Sequence, residues 1–209
     1  MIEKQRMRAD DRRELILEAA TRVFGDYGYY GTTTAQIARE AGVSQPYVIQ
    51  VFGTKQQLFL EVIQRALDAI LDSFRAVLPD EPGSTLSHRL GMAYVDLAAN
   101  HGLLLSLMHA FVLGRDPVIG KAARDGFMKV YKFLRVEGGF PAAEAQQFLS
   151  GGMLINTLVG LRMVDEYGDG DMDVCELLET ALPEKLDVLL ALADDPTAER
   201  TSRASERSA

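Results

Sequence analysis

The chain has 209 residues, 47% of them hydrophobic and 25% charged, which excludes wholesale disorder and leaves room for a small domain fused to a larger one. A formal net charge of −8 excludes a protein that coats nucleic acid by bulk electrostatics, and the single cysteine, Cys175, excludes an intramolecular disulfide. The charge is uneven: up to residue 60, eight basic residues face seven acidic ones, whereas beyond it fourteen face twenty-three. The amino terminus, MIEKQRMRADDRRE, is too charged for a signal peptide, and the longest apolar run, Leu103 to Gly114, is too short to span a bilayer. A cytoplasmic protein with no membrane partner is expected.

From Asp11 onward, Leu15, Ile16, Ala19, Ala20, Val23, Phe24 and Tyr27 form the stripe of an amphipathic helix that Gly28 stops, with Tyr29 to Thr32 as a short connection. Thr33 followed by Gln36 is a capping-box pattern opening a short second helix with Ile37, Ala38 and Ala41 inside. Gly42 supplies the turn, Val43 plugs the junction, and Ser44 is a suitable N-cap for a third helix that tolerates Pro46 in its first turn. Val48, Val51 and Phe52 form its inner face. Gly53 ends it, and Thr54 with Gln57 repeats the capping box to open a fourth helix. That helix carries Leu58, Phe59, Val62, Ile63, Ala66, Leu67, Ile70, Leu71 and Phe74 and runs to about Leu78, long enough to join two domains.

PDEPGS, Pro79 to Ser84, is the clearest interior linker. Helices then recur without a strand signal: about Thr85–Asn100, Leu103–Gly114, Pro117–Val136, Ala142–Tyr167 and Asp173–Ala193. The last stretch, DDPTAERTSRASERSA, lacks any large apolar side chain and reads as a solvated tail. The expected architecture is all-α. A three-helix helix-turn-helix unit occupies residues 1–53, a helical ligand-binding and dimerisation bundle occupies 54–193, and the tail occupies 194–209.

In a helix-turn-helix the first helix braces the second, whose early residues reach base edges while nearby groups hold phosphates. With Val48 at the centre of the buried side of the third helix, Pro46, Tyr47 and Gln50 point outward, Gln45 lies nearer the edge, and Ile49 sits on the flank. Glutamine can pair with adenine, and tyrosine can donate to phosphate or pack on a thymine methyl. Thr33, Lys55 and the free amides at the two capped helix starts are candidates to hold phosphates, and the N-cap Ser44 is a further DNA-binding candidate. Arg6, Arg8 and Arg12 are candidates for further backbone or minor-groove contacts. Two short capped helices around a glycine also occur in helical proteins that never meet DNA.

The detail goes further than that generic pattern. Phe24 and Gly28, Thr32-Thr33, Ile37-Ala38, Ala41-Gly42-Val43-Ser44, Phe52, Lys55 and Leu58 stand at a spacing by which residues 12–60 resemble the amino-terminal domain of the tetracycline-repressor (TetR) family of bacterial transcription regulators. The resemblance covers about a quarter of the chain by motif. It implies a double-stranded DNA operator, a small-molecule effector bound in a variable helical bundle, and a homodimer joined through the last two long helices, here Ala142–Tyr167 and Asp173–Ala193. Three positions depart from the pattern: Ile49 and Val51 stand where the family commonly has aromatics, and Tyr47 stands where threonine is common.

Within the bundle segment, Met92, Met108, Phe111, Phe127, Met128, Tyr131, Met153 and Met163 suit an adaptable apolar cavity, or equally a plain core. Asn156, amid the apolar run Met153 to Leu161, is the polar candidate for a ligand contact. His88, His101 and His109 have no metal-ligand spacing, so no metal or cofactor is expected; His101 and His109 are lesser ligand candidates beside an ordinary structural role. No nucleophile, base and orienting acid stand at an interpretable spacing, so no catalytic residue is assigned. Gly151, Gly152, Thr157 and Gly160, with Leu177, Leu178, Leu182, Leu186, Leu189 and Leu190, mark either a dimer interface or internal core. The reading is a ligand-released repressor acting as a dimer on a palindrome, since one recognition helix reads few base pairs. Its rival is a helical small-molecule-binding protein whose DNA-binding unit is degenerate.

Overall fold

The computed structural model describes residues 9–79, 83–98, 101–168, 171–184, 186–187 and 190, at 98 and 101 the backbone only. Arg6, Arg8, the His101 side chain, Leu189, the middle of the PDEPGS linker and the tail 194–209 therefore lie outside the described residues. Among the described residues nine α-helices follow in order: α1 (Ala9–Gly31), α2 (Thr34–Glu40), α3 (Gln45–Phe52), α4 (Lys55–Ala76), α5 (Leu86–Ala98), α6 (His101–Val112), α7 (Ile119–Val136), α8 (Ala142–Gly160) and α9 (Met172–Ala181). A 3-10 turn, Met163–Glu166, follows α8, and no strand occurs among the described residues. No single helix there is long and apolar enough to cross a membrane.

The amino-terminal helices form where their end signals stand. Gly28 departs from helical geometry (φ 66°, ψ 180°), yet one more turn follows to Gly31, so the expected stop is a kink. The buried Thr32 hydroxyl closes that end by donating to the Val23 and Gly28 carbonyls at 3.1 and 2.7 Å. Thr33 makes the full capping box with Gln36, whereas Thr54 accepts from the Gln57 amide without the return bond. Gly42 and Gly53 have φ of 65° and 76°. A Cβ at either would meet nothing within 4 Å, so the backbone conformation rather than lack of space asks for glycine there. All nine apolar residues assigned to the inner face of α4 are buried. Around them, Arg13 pairs with Glu61 and Arg65 with Glu14, tying α1 to α4 at the surface.

The carboxy-terminal helices are shorter than their patterns suggested. α8 ends at Gly160 rather than Tyr167, because Arg162 takes a left-handed conformation (φ 55°) that turns the chain out of the helix. The expected helix Asp173–Ala193 breaks after Ala181. Pro183 removes an amide and crowds the preceding turn, and Leu182 before it leaves the α region (φ −136°, ψ 53°). Leu178, Leu182 and Leu186 remain buried, while Leu177 is exposed.

The broadest contact in the molecule is between α1 and α6, and it is closed to the backbone. A Cβ on Gly25 would stand 2.5 Å from the Gly102 Cα, and one on Gly102 would stand 2.7 Å from the Thr21 carbonyl oxygen. The buried Ser106 hydroxyl reaches the Thr21 and Gly102 carbonyls at 3.2 and 2.6 Å, and the His109 Nε2 lies 3.0 Å from the Gly25 carbonyl. His109 is thus a structural link between helices, the commoner of its two expected roles.

Candidate nucleic-acid interface and ligand chamber

The tip of the helix-turn-helix presents Ser44, Gln45, Pro46, Ile49 and Gln50 to solvent. Its framework is spoken for. The exposed Thr33 hydroxyl serves Gln36, and Gln45 Nε2 donates to the Thr34 hydroxyl at 3.0 Å, so the side chain of Gln45 also joins α2 to α3. Ser44 sits at the N-cap of α3 in an extended conformation, but its hydroxyl makes no capping bond and is left facing outward. Pro46 is in the first turn, where a missing amide costs no helical bond.

Tyr47 departs from its expected outward direction. It is half-buried against the core, with the Arg12 guanidinium carbon 5.2 Å from its ring centroid. Lys55 differs more: its Nζ donates to the Tyr29 and Thr32 carbonyls at 2.9 and 3.0 Å and lies 4.5 Å from the Tyr29 ring. Those carbonyls end α1, where a cation suits both the orphan oxygens and the helix dipole. In this arrangement Lys55 pins α4 to the α1–α2 connection rather than reaching outward. Arg39, exposed at the end of α2 and without an acidic partner among the described residues, was not singled out from sequence. By contrast, Arg22 is paired with Glu40 at 3.2 Å. Which arginine is left unpaired depends on neighbours distant in the chain, so no sequence signal marks it.

Between α4, α5, α6, α7 and α8 lies a narrow chamber of about 50 Å³. Phe111, Phe127, Met153 and Asn156 line it, as the sequence suggested; Met92, Met108 and Tyr131 do not, and they are half-buried elsewhere. Helical phase decides this, since each lies on a helix that offers the chamber a different face. Phe74, Tyr94 and Phe148, absent from the expected set, complete an aromatic wall in which Phe74 stands 5.7 Å from Phe148 and 6.3 Å from Tyr94. Phe74 was hidden by belonging to the uniform stripe of α4.

The polar end of the chamber is one pair: the Tyr94 hydroxyl donates to Asn156 Oδ1 at 2.8 Å. Burial pushes the tyrosine up to about 12, against a smaller opposing effect from that bond, so it is a neutral hydroxyl at physiological pH. No lining residue carries a charge. Among the described residues, no group of three or more His, Cys, Asp or Glu is placed to hold a metal ion. Outside the chamber, an open groove of about 480 Å³ runs along Tyr30 and Phe111 to Asp116, and Phe111 lines both spaces.

Comparison with known proteins agrees with this geometry. The family model described as bacterial regulatory proteins, tetR family, matches residues 16–62. The chain is 41% identical over 73 residues to the HTH-type transcriptional activator FasR of Mycolicibacterium smegmatis, covering 35% of this chain and 33% of that protein. It is 42% identical over 82 residues to the HTH-type transcriptional regulator BetI of Agrobacterium fabrum, covering 37% and 40%. The alignments thus span well under half of those relatives. The fold extends further: a TetR-like transcriptional regulator from Rhodococcus sp. RHA1 superposes with a TM-score of 0.59 at 18% identity, over 92% of this chain and 99% of that one. Residues 16–62 thus match the helix-turn-helix unit of the tetR family of bacterial regulatory proteins, and the helical bundle behind them shares its fold with a TetR-like regulator.

Proposed function

We propose that the protein is a sequence-specific DNA-binding transcription repressor that acts as a homodimer on a palindromic operator and is released by a small apolar or amphipathic molecule. The observation that carries this reading is a helix-turn-helix, exposed at Ser44, Pro46 and Gln50, whose α1 is locked to a helix lining a chamber in the bundle. Residues 1–53 read DNA in this scheme, and 54–193 hold the effector and the dimer contact. The exposed strip Gly151, Leu154 and Thr157 on α8, continued by Leu161 just past its end, supports a dimer seam. Effector and operator would favour different spacings of the two recognition helices, so each weakens the other's binding by the same factor.

The rival, an effector-binding protein with a degenerate DNA-binding unit, draws on one observation: α3 holds no basic residue, and Lys55 is engaged internally. Selection of bound fragments from genomic DNA, followed by titration at several salt concentrations, separates the two. A palindromic site whose affinity falls steeply with salt supports the regulator; absent or salt-insensitive binding supports the rival. Tyr47→Ala and Gln50→Ala are each expected to weaken operator binding. If both leave affinity and sequence preference unchanged, the assigned contacts are wrong. A reporter driven from the selected site reads the sign, since deletion of a repressor raises expression.

A further inference from the structure

The chamber has a chemistry of its own. Its wall is aromatic and aliphatic, no charged side chain lines it, and its single polar feature is the Tyr94–Asn156 pair. An anionic guest would enter such a site without a counter-ion and lose its hydration. One end of the Asn156 side chain is taken by Tyr94. The amide nitrogen has no partner among the described residues, although Asn156 is only 4% exposed. A guest that enters must offer that donor an acceptor or leave it unpaired.

Size makes the second point. About 50 Å³ admits a water or two, whereas even benzene occupies a cavity of about 150 Å³. A guest must therefore displace a side chain, and Phe111 is the residue common to the chamber and the outer groove. It packs edge-to-face on Phe127 at 5.9 Å, a contact that a swing toward the groove would open. Phe111 also belongs to α6, whose other face holds α1 through Gly102, Ser106 and His109.

We propose that the chamber binds an uncharged, largely apolar molecule with one terminal oxygen acceptor, that the Asn156 amide reads this oxygen, and that Phe111 is the gate through which the molecule enters from the groove. This deepens the effector half of the function proposed above and rests on it. A carboxylate and a phosphorylated ligand find no counter-charge in this lining.

The test uses the full-length protein without DNA. The neutral dye N-phenyl-1-naphthylamine is titrated beside its sulfonated analogue, 8-anilino-1-naphthalenesulfonate; the neutral dye is expected to bind at least about tenfold more tightly. Displacement of that dye then compares 2-acetylnaphthalene with 2-isopropenylnaphthalene, which differ in the carbonyl oxygen at nearly the same shape. A preference for the ketone of about tenfold is expected, lost in the double variant Tyr94→Phe/Asn156→Leu, which removes both polar partners together and so leaves no orphan group. Phe111→Ala is expected to speed dye association in stopped flow. Equal affinity for the two dyes overturns the proposal even in the wild-type protein, as does a ketone preference that survives the double variant; an unchanged association rate overturns the gate. Operator binding is measured on the same samples. Its loss with dye selectivity intact counts against the repressor reading alone, and the converse counts against this inference alone.

Discussion

The α1–α6 seam and the chamber share helix α6 but are packed by opposite rules. At the seam two backbones touch, with Gly25 against Gly102 and no room for a single methyl group. Across the chamber, rings of Phe74, Phe111, Phe127 and Phe148 meet at 5.7 to 5.9 Å around unfilled space. A close-packed seam transmits displacement because it cannot absorb it, whereas a loose aromatic cluster can repack around a guest. The difference places adjustment on one side of α6 and rigid coupling on the other.

The comparison can be pressed hardest at Phe24, fully buried beside the seam and 4.7 Å from Phe59. Phe24→Ala is expected to cost about 3–5 kcal/mol in urea unfolding, because a tight core collapses poorly around a cavity. A much smaller loss would mean that the rigid side is not rigid. Alkaline titration probes the chamber instead. With Tyr94 raised to about 12 when folded and near 10 when unfolded, the unfolded chain binds fewer protons across that window. Stability therefore falls as pH climbs from about 10 to 12, by on the order of 2–3 kcal/mol, and Tyr94→Phe removes that part of the dependence.

Two identical substitutions then sharpen the contrast. Gly102→Ala forces a methyl group into the Thr21 carbonyl and the Arg22 Cα, and it is expected to destabilise by about 1–3 kcal/mol and to weaken operator binding. In Gly152→Ala the new Cβ meets the Tyr94 ring at an ordinary 3.5 Å, so the gain in helix propensity prevails. Stabilisation of about 0.5–1 kcal/mol is expected, visible as a raised Tm. Equal effects from the two glycines would erase the distinction between seam and chamber.

Much of the amino-terminal unit was legible because its signals are local. Capping at Thr33 and Thr54, positive-φ glycines at 42 and 53, and the α4 stripe act within a turn or two of the chain. The bonds of Lys55 were not legible, because its partners, the Tyr29 and Thr32 carbonyls, are more than twenty residues away. Pro183 was legible and passed over: its leucine stripe suggested a continuous helix, and the missing amide prevailed. Arg162 gave no warning, since a left-handed arginine is chosen by its surroundings rather than by its type.

Sequence alone determined the all-α class, the helix-turn-helix and the buried face of α4, since periodicity and end-capping are properties of neighbouring residues. Only the tertiary structure decided that Gly25 and Gly102 meet, that Tyr94 rather than Met92 faces Asn156, and that Phe111 lines both groove and chamber. Those are contacts between helices whose relative rotation depends on how all of their side chains pack together, and no single stretch of the chain encodes it.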